Sequence, residues 1–221
     1  MADCPPLEIR PDGAFMDRRI LLAATAAALL AGLAPARAQA PAPVELAGVK
    51  YPHTVQVAGS NLQLNGAGIR YKFIIKVYTA GLYLGAKAAT PEAVLAAPGN
   101  KRMHVVMLRE IDGNELGKLF TRGMQDNAPK DEFSKFIPGM LQMADVFSTR
   151  RKLSAGESFS VDFVPGTGTQ VLVNGKATGE VIKEPEFFNA LMRIWLGPSP
   201  ADRLLKDALL GQSANSLSRN Q

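Results

Sequence analysis

Arg70 and Tyr78 stand out within NGAGIRYKFIIKVYTAGLYL, residues 65–84. Ile, Val, Phe and Leu around them have the composition of buried strands, so a guanidinium there needs a reason. Burying an arginine is unfavourable unless an anion or other acceptors meet its donors. A carboxylate of the chain, such as Glu110 or Asp162, would serve, and so would a bound ligand. The planar guanidinium fork suits a carboxylate or a polarised carbonyl, and the phenolic hydroxyl of Tyr78 adds a donor. With the two-residue period of a strand, Arg70, Ile74 and Tyr78 share one face and Ile69, Phe73 and Val77 the other. The competing reading is an arginine at a strand end whose head group reaches solvent.

Other chemistries lack their residues. His53 and His104 are the two histidines and form no H-x-x-x-H or H-E-x-x-H pattern, which argues against zinc. Both are expected as satisfied or solvent-facing strand residues. Cys4 is the one cysteine, so no disulfide, thiol nucleophile or cysteine metal site is expected. PGTGTQ has no following Lys-Ser/Thr and reads as a hairpin turn, while GAG at 66–68 precedes a strand instead of opening a helix. No G-x-S-x-G elbow is present, and Asp131-Glu132 suits a helix start. No metal or cofactor is therefore expected. A net charge of +5 without long Lys/Arg runs gives no nucleic-acid footprint.

The elements that must position Arg70 follow an N-terminal segment read as targeting sequence. From Met16, MDRRILLAATAAALLAGLAPARAQA has a basic start, an apolar run and A-x-A sites ending at Ala38 and Ala40. Residues 16–40 are expected to be a secretory signal, giving a periplasmic or secreted mature chain. Ile20 to Leu33 is shorter than the about 20 residues of a bilayer span, so no stable membrane insertion is expected after cleavage. Arg18-Arg19 leaves both export routes open. Residues 1–15 carry no targeting logic, and 212–221 form a polar tail.

Between them, residues 41–211 read as one domain. Short strands alternate through 44–84, with Ala58-Gly59-Ser60-Asn61 as a hairpin signal; residues 69–84 are expected as strand with a break or bulge. TPEAVLAAP gives a short helix capped by Thr90 with Pro91 at its first position. KRMHVVMLRE returns to strand. A helix behind Asp112 places Leu116, Leu119, Phe120 and Met124 on one stripe. A second places Phe133, Phe136, Ile137, Met140, Leu141 and Val146 together, divided or kinked at Pro138-Gly139. Methionines at this spacing are core material, although they also tolerate varied apolar ligands. Strands with an Asn174-Gly175 hairpin follow, then helices EPEFFNALMRIWLG and SPADRLLKDALLG, the latter capped by Ser199. Strands and helices in blocks, without strict βαβ alternation, predict an α+β domain: an antiparallel sheet with helices on one face.

LNGAGIRYKFIIKVYTAGLYL, MLREIDGNELGKLFTRGM, FVPGTGTQVLVNGK and FFNALMRIWLGPSPADRLLKDALLG, in this order, resemble blocks of the chalcone isomerase superfamily and its bacterial branch. The resemblance runs from Val44 to Gly211. It implies an open-faced β-sandwich, a large antiparallel sheet with helices on one face and a ligand cleft between them. It also matches Arg70 to the arginine that polarises substrate in the plant enzymes. The position of their catalytic threonine falls on Tyr78, those of their helical Tyr and Asn near Glu115 and Arg122, and a late polar position on Ile194. The arginine is kept and its partners are not, which implies no chalcone cyclisation of the plant type. A second branch binds fatty acids through an arginine and a tyrosine, and Arg70 and Tyr78 match that pair. Phe120, Met124, Phe136, Met140 and Trp195 are then candidates for the apolar wall. The resulting expectation is an exported, monomeric or weakly associating binding protein for a small amphipathic carboxylate. Two alternatives stand beside it: an isomerase (intramolecular lyase) acting on an enone-like substrate through Arg70 and Tyr78, and an envelope module that docks a protein.

Overall fold

The computed structural model describes residues 41–129 and 132–212. Residues 1–15 and 16–40, expected as a leader and a secretory signal, lie outside the described residues, as do Cys4, Asp131 and the tail from residue 213. The described part is α+β. Its main sheet has seven antiparallel strands in the order β11-β10-β9-β6-β5-β4-β3. These are β3 (Thr54–Val57), β4 (Ser60–Lys72), β5 (Ile75–Leu84), β6 (Lys101–Met107), β9 (Ser158–Val164), β10 (Gly168–Val173) and β11 (Lys176–Ala177). Two small ribbons accompany it, β1 (Val44–Leu46) with β2 (Val49–Tyr51) and β7 (Ile111–Asp112) with β8 (Lys152–Leu153).

The turn chemistry explains the hairpins. Ala58 and Gly59 have φ of 45° and 78°, and Asn174 and Gly175 have 50° and 76°. Two successive left-handed residues match the right-handed strand twist, which is why Asn-Gly marks such turns. Residues 69–84, expected as strand with a break or bulge, are broken by a full reversal into two antiparallel strands. The chain reverses at Phe73 and Ile74, so that Lys72 faces Ile75 and Arg70 faces Tyr78 across β4 and β5. Arg70 and Tyr78 are cross-strand neighbours, and Ile74 is in the turn. KFIIK contains no Gly, Pro or Asn to mark the reversal.

The helices are α1 (Pro91–Ala96), α2 (Gly113–Asn127), α3 (Ile137–Ser148), α4 (Phe187–Leu196) and α5 (Arg203–Leu209). Thr90 Oγ1 accepts from the Ala93 N–H and Asp112 Oδ1 from the Glu115 N–H, the caps expected from sequence. A short 3-10 helix, Phe133–Phe136, leads into α3, so Pro138 sits in the first turn, where a missing N–H does no harm. The last helix begins later than Ser199. Asn127 holds Ser199 in a connecting turn, accepting its N–H and donating to its carbonyl at 2.9 Å each. Asp202 caps α5 instead, with one oxygen on the Leu205 N–H and the other on the Tyr71 N–H.

Helices α2, α3 and α4 cover one face of the sheet over a core that includes Leu82, Met103, Phe147, Phe159, Phe188 and Trp195. Leu119, Ile137 and Leu141, expected on buried stripes, are 40%, 42% and 67% exposed because they lie at the edges of those stripes. The opposite face has a smaller core in which Tyr51, Val57, Leu62, Leu64 and Tyr83 pack together under the β1–β2 ribbon. Helix α5 lies on β4 so closely that a Cβ on Gly66 would collide with the Ala208 carbonyl oxygen.

His104 lies on β6, with Nδ1 2.8 Å from Ser160 Oγ and its ring edge-on to Tyr51. His53 lies in a bend before β3, its Nε2 2.7 Å from the Ala42 carbonyl oxygen. Burial, helped by the Arg102 guanidinium, pushes His104 down to about 4, against the weaker opposing pull of Asp162. The unfolded chain takes this proton near 6.5. Between the two values the unfolded state binds more protons. The His104 contribution is therefore complete above pH 6.5 and is lost as pH falls from there through 4, by about 3 kcal/mol. Urea unfolding of wild type and His104→Gln at several pH values will read this as a shallower acid loss in the variant.

Candidate functional site

A cavity of about 220 Å³ opens between the sheet and the helices, near the turn end of the β4–β5 hairpin. The hairpin contributes Arg70, Val77 and Tyr78; β6 and β9 add Met107 and Phe159. Helix α2 presents Leu116, Leu119, Phe120 and Gly123, helix α4 presents Ile194 and Trp195, and Ser199–Ala201 close one side. Most of this wall is apolar. Strand register places its polar end. Antiparallel partners point to the same face, so Arg70 follows Tyr78 toward the helices. The register shifts between the Arg70 and Tyr71 pairs, leaving Val77 as an extra residue on β5. Such a bulge re-aims side chains, and both Val77 and Tyr78 reach the wall.

Trp195 Nε1–H donates to the Tyr78 hydroxyl at 2.8 Å, tying α4 to the hairpin. The Arg70 guanidinium lies over the Tyr78 ring, its Cζ 5.5 Å from the ring centroid, a favourable cation–π placement. The Arg70 Nε–H is shielded from solvent and has no hydrogen-bond partner among the described residues. The carboxylates considered from sequence are engaged elsewhere. Glu110 pairs with Lys152 at 2.8 Å, and Asp162 takes both Nε and Nη2 of Arg102. Among the described residues no carboxylate lies within 4.0 Å of Arg70.

Burial raises Tyr78 to about 12, with the Arg70 charge and the Trp195 bond opposing. At neutral pH the phenol is therefore intact. Its oxygen accepts from Trp195, and its own O–H remains a donor on the same cavity wall as Arg70. Together they form a pair of donors at one end of an apolar chamber. That arrangement can hold an anionic or polarised oxygen.

Of the residues singled out in the sequence, Arg70, Tyr78, Phe120 and Trp195 meet on this wall. Met124, Phe136 and Met140 do not line it; they are 1%, 4% and 8% exposed and fill the core. Glu115 is also off the wall, whereas Arg122 stands at its rim, 3.8 Å from Asp126. Met107 and Phe159 also line the cavity, although in the sequence they read only as strand residues. Only the pairing of Tyr78 with Met107, and of β6 with β9, brings them to the cavity. Among the described residues no cluster of three or more His, Cys, Asp or Glu could hold a metal ion.

The family model described as chalcone isomerase-like matches residues 43–211. A solved structure of an Arabidopsis thaliana fatty-acid binding protein has the same fold, with a TM-score of 0.62 at 15% identity. The match covers 81% of this chain and 100% of that one. No curated protein matches the chain.

Trp195 is the single tryptophan, so its emission reports on the site. Tyr78→Phe leaves the indole N–H buried without its acceptor. The variant should lose about 1–3 kcal/mol of stability in urea unfolding and shift the Trp195 emission. Unchanged stability and emission would mean that the Trp195–Tyr78 bond does not hold the site.

Proposed function

The chain belongs to the chalcone isomerase-like family, and from that premise we propose that it binds a small amphipathic carboxylate in the cavity, with Arg70 and Tyr78 as its polar anchors. One observation carries the proposal: a guanidinium donor shielded from water at the end of an apolar chamber, with no acceptor among the described residues. A buried donor left unmet is destabilising by about 1–3 kcal/mol, and a ligand carboxylate would remove that penalty on binding. The fold shared with a fatty-acid binding protein supports the same class of ligand.

The wall favours a modest acyl chain. A volume of about 220 Å³ is below the roughly 300–1,000 Å³ of sites for drug-sized ligands, so a short or medium chain fits better than a long one enclosed throughout. Each methylene placed against Phe120, Ile194 and their neighbours contributes about 0.8 kcal/mol. Isomerase chemistry is the weaker reading. It needs a base next to Arg70, and Asp126, the carboxylate on the wall, stands beside Arg122 at the rim. Tyr78, raised to about 12, acts as a donor at neutral pH. The proposal also places the mature protein in the periplasm or outside the cell, supported by the signal-like pattern of residues 16–40.

Protein purified from its native host should carry fatty acid detectable by native mass spectrometry. Titration of the delipidated protein with a saturated chain-length series, read by Trp195 emission, should peak at medium length. Arg70→Ala should weaken binding by about 30- to 150-fold, equivalent to about 2–3 kcal/mol, with Arg70→Lys in between. Equal affinity of wild type and Arg70→Ala, or no binding by wild type, would overturn the proposal.

A further inference from the structure

At the outer end of the hairpin, Phe73 and Ile74 are 92% and 93% exposed, and Ile75 is 42% exposed. Among the described residues no other strand reaches that far. Strand β3 pairs only with Ser60–Gln63 at the other end of β4, and β6 ends its pairing with β5 at Tyr78. The hairpin therefore projects beyond the sheet. Phe73 has φ of 56°, in the left-handed region that a bulky side chain adopts at a penalty. Glycine is the usual residue at such a turn position. Among the described residues nothing covers the Phe73 side chain to compensate.

Basic residues flank the apolar tip in the hairpin and follow the segments bonded to the strands just behind it. Lys72 and Lys76 flank it and are exposed. Arg109 follows Leu108, whose N–H bonds the Val77 carbonyl at 2.9 Å. Arg203 follows Asp202, whose carboxylate takes the Tyr71 N–H at 2.8 Å. Both arginines are exposed. The neighbouring acids are engaged: Glu110 with Lys152, and Asp202 with two backbone N–H groups.

We propose that this hairpin tip docks the protein on a lipid surface bearing anionic headgroups. Phe73 and Ile74 enter the boundary between headgroups and acyl chains while Lys72, Lys76, Arg109 and Arg203 meet phosphates. A protein partner fits the tip less well. A stable interface buries about 800 Å² per partner, whereas a large aromatic side chain supplies about 150–250 Å². A bilayer imposes no shape requirement, and apolar insertion with surrounding lysines is how peripheral proteins hold to it. Docking of this kind is reversible and differs from spanning; among the described residues no helix is long and apolar enough to cross a membrane. The tip belongs to the same hairpin as Arg70, Val77 and Tyr78, so docking sets the cavity near a source of amphipathic carboxylates. The docking inference does not rest on the ligand reading.

The test uses the chain from Pro41, whose two cores lie wholly within it, so that the apolar run before it does not contribute. Co-sedimentation with phosphatidylcholine vesicles, with and without phosphatidylglycerol, should show binding to the anionic vesicles that weakens with salt. Phe73→Ser with Ile74→Ser should reduce partitioning by at least about 30-fold. Lys72→Ala with Lys76→Ala should reduce it by about 25-fold, roughly five-fold for each charge. Phe73→Gly relieves the backbone penalty, so its thermal midpoint should hold or rise while vesicle binding falls; this separates docking from misfolding. Equal binding to neutral and anionic vesicles, or tip variants that bind like wild type, would overturn the inference. So would absence of vesicle binding, including the case where the tip instead drives self-association.

Discussion

The Arg70 guanidinium is held over the Tyr78 ring with one N–H shielded from water and unanswered by any described acceptor. Holding it there takes contributions from three layers. The hairpin sets Arg70 directly across from Tyr78, and the bulge at Val77 turns the end of β5 toward the helices. Helix α4 fixes the phenol through the Trp195 indole N–H. The loop after α4 is pinned to α2 through Asn127 and Ser199, which closes the chamber beside the guanidinium. The α5 cap then ties the strand just past Arg70, through the Tyr71 N–H, to the final helix.

The distribution of the other charges matters as much as this scaffold. An arginine among apolar side chains is ordinarily neutralised by a carboxylate of its own chain. Here Asp162 is drawn into a two-point contact with Arg102 on another part of the sheet, and Glu110 is paired with Lys152 at the surface. The positive charge at the cavity end is thereby left available, while most of the wall is apolar and Arg122 and Asp126 stand together at its rim. A head group that is anionic and a tail that is not would satisfy both ends at once.

Much of this was legible in the residues. The Asn174-Gly175 and Ala58-Gly59 turns follow from backbone sterics, and Thr90 and Asp112 cap helices as their hydroxyl and carboxylate predict. Four ordered blocks pointed to the family and its fold. Arg70 and Tyr78 were found on one face, but through a different geometry: the chain reverses between them at a turn of Phe and Ile that local propensity does not announce. Ser199 looked like a cap because it precedes Pro200; long-range bonds to Asn127 claimed it instead. Phe120 and Trp195 reach the cavity while Met124, Phe136 and Met140 do not, since a helical stripe shows which side is buried but not what it is buried against. Met107 and Phe159 needed the strand order to be recognised at all.

A crystal structure of the chain from Pro41 with decanoic acid would show whether Arg70 and Tyr78 hold a carboxylate. The expected result is carboxylate oxygens within about 3 Å of Arg70 Nε and the Tyr78 hydroxyl, with the acyl chain lying along Phe120 and Ile194. A carboxylate bound at the rim on Arg122, with Arg70 Nε still unmet, would contradict it.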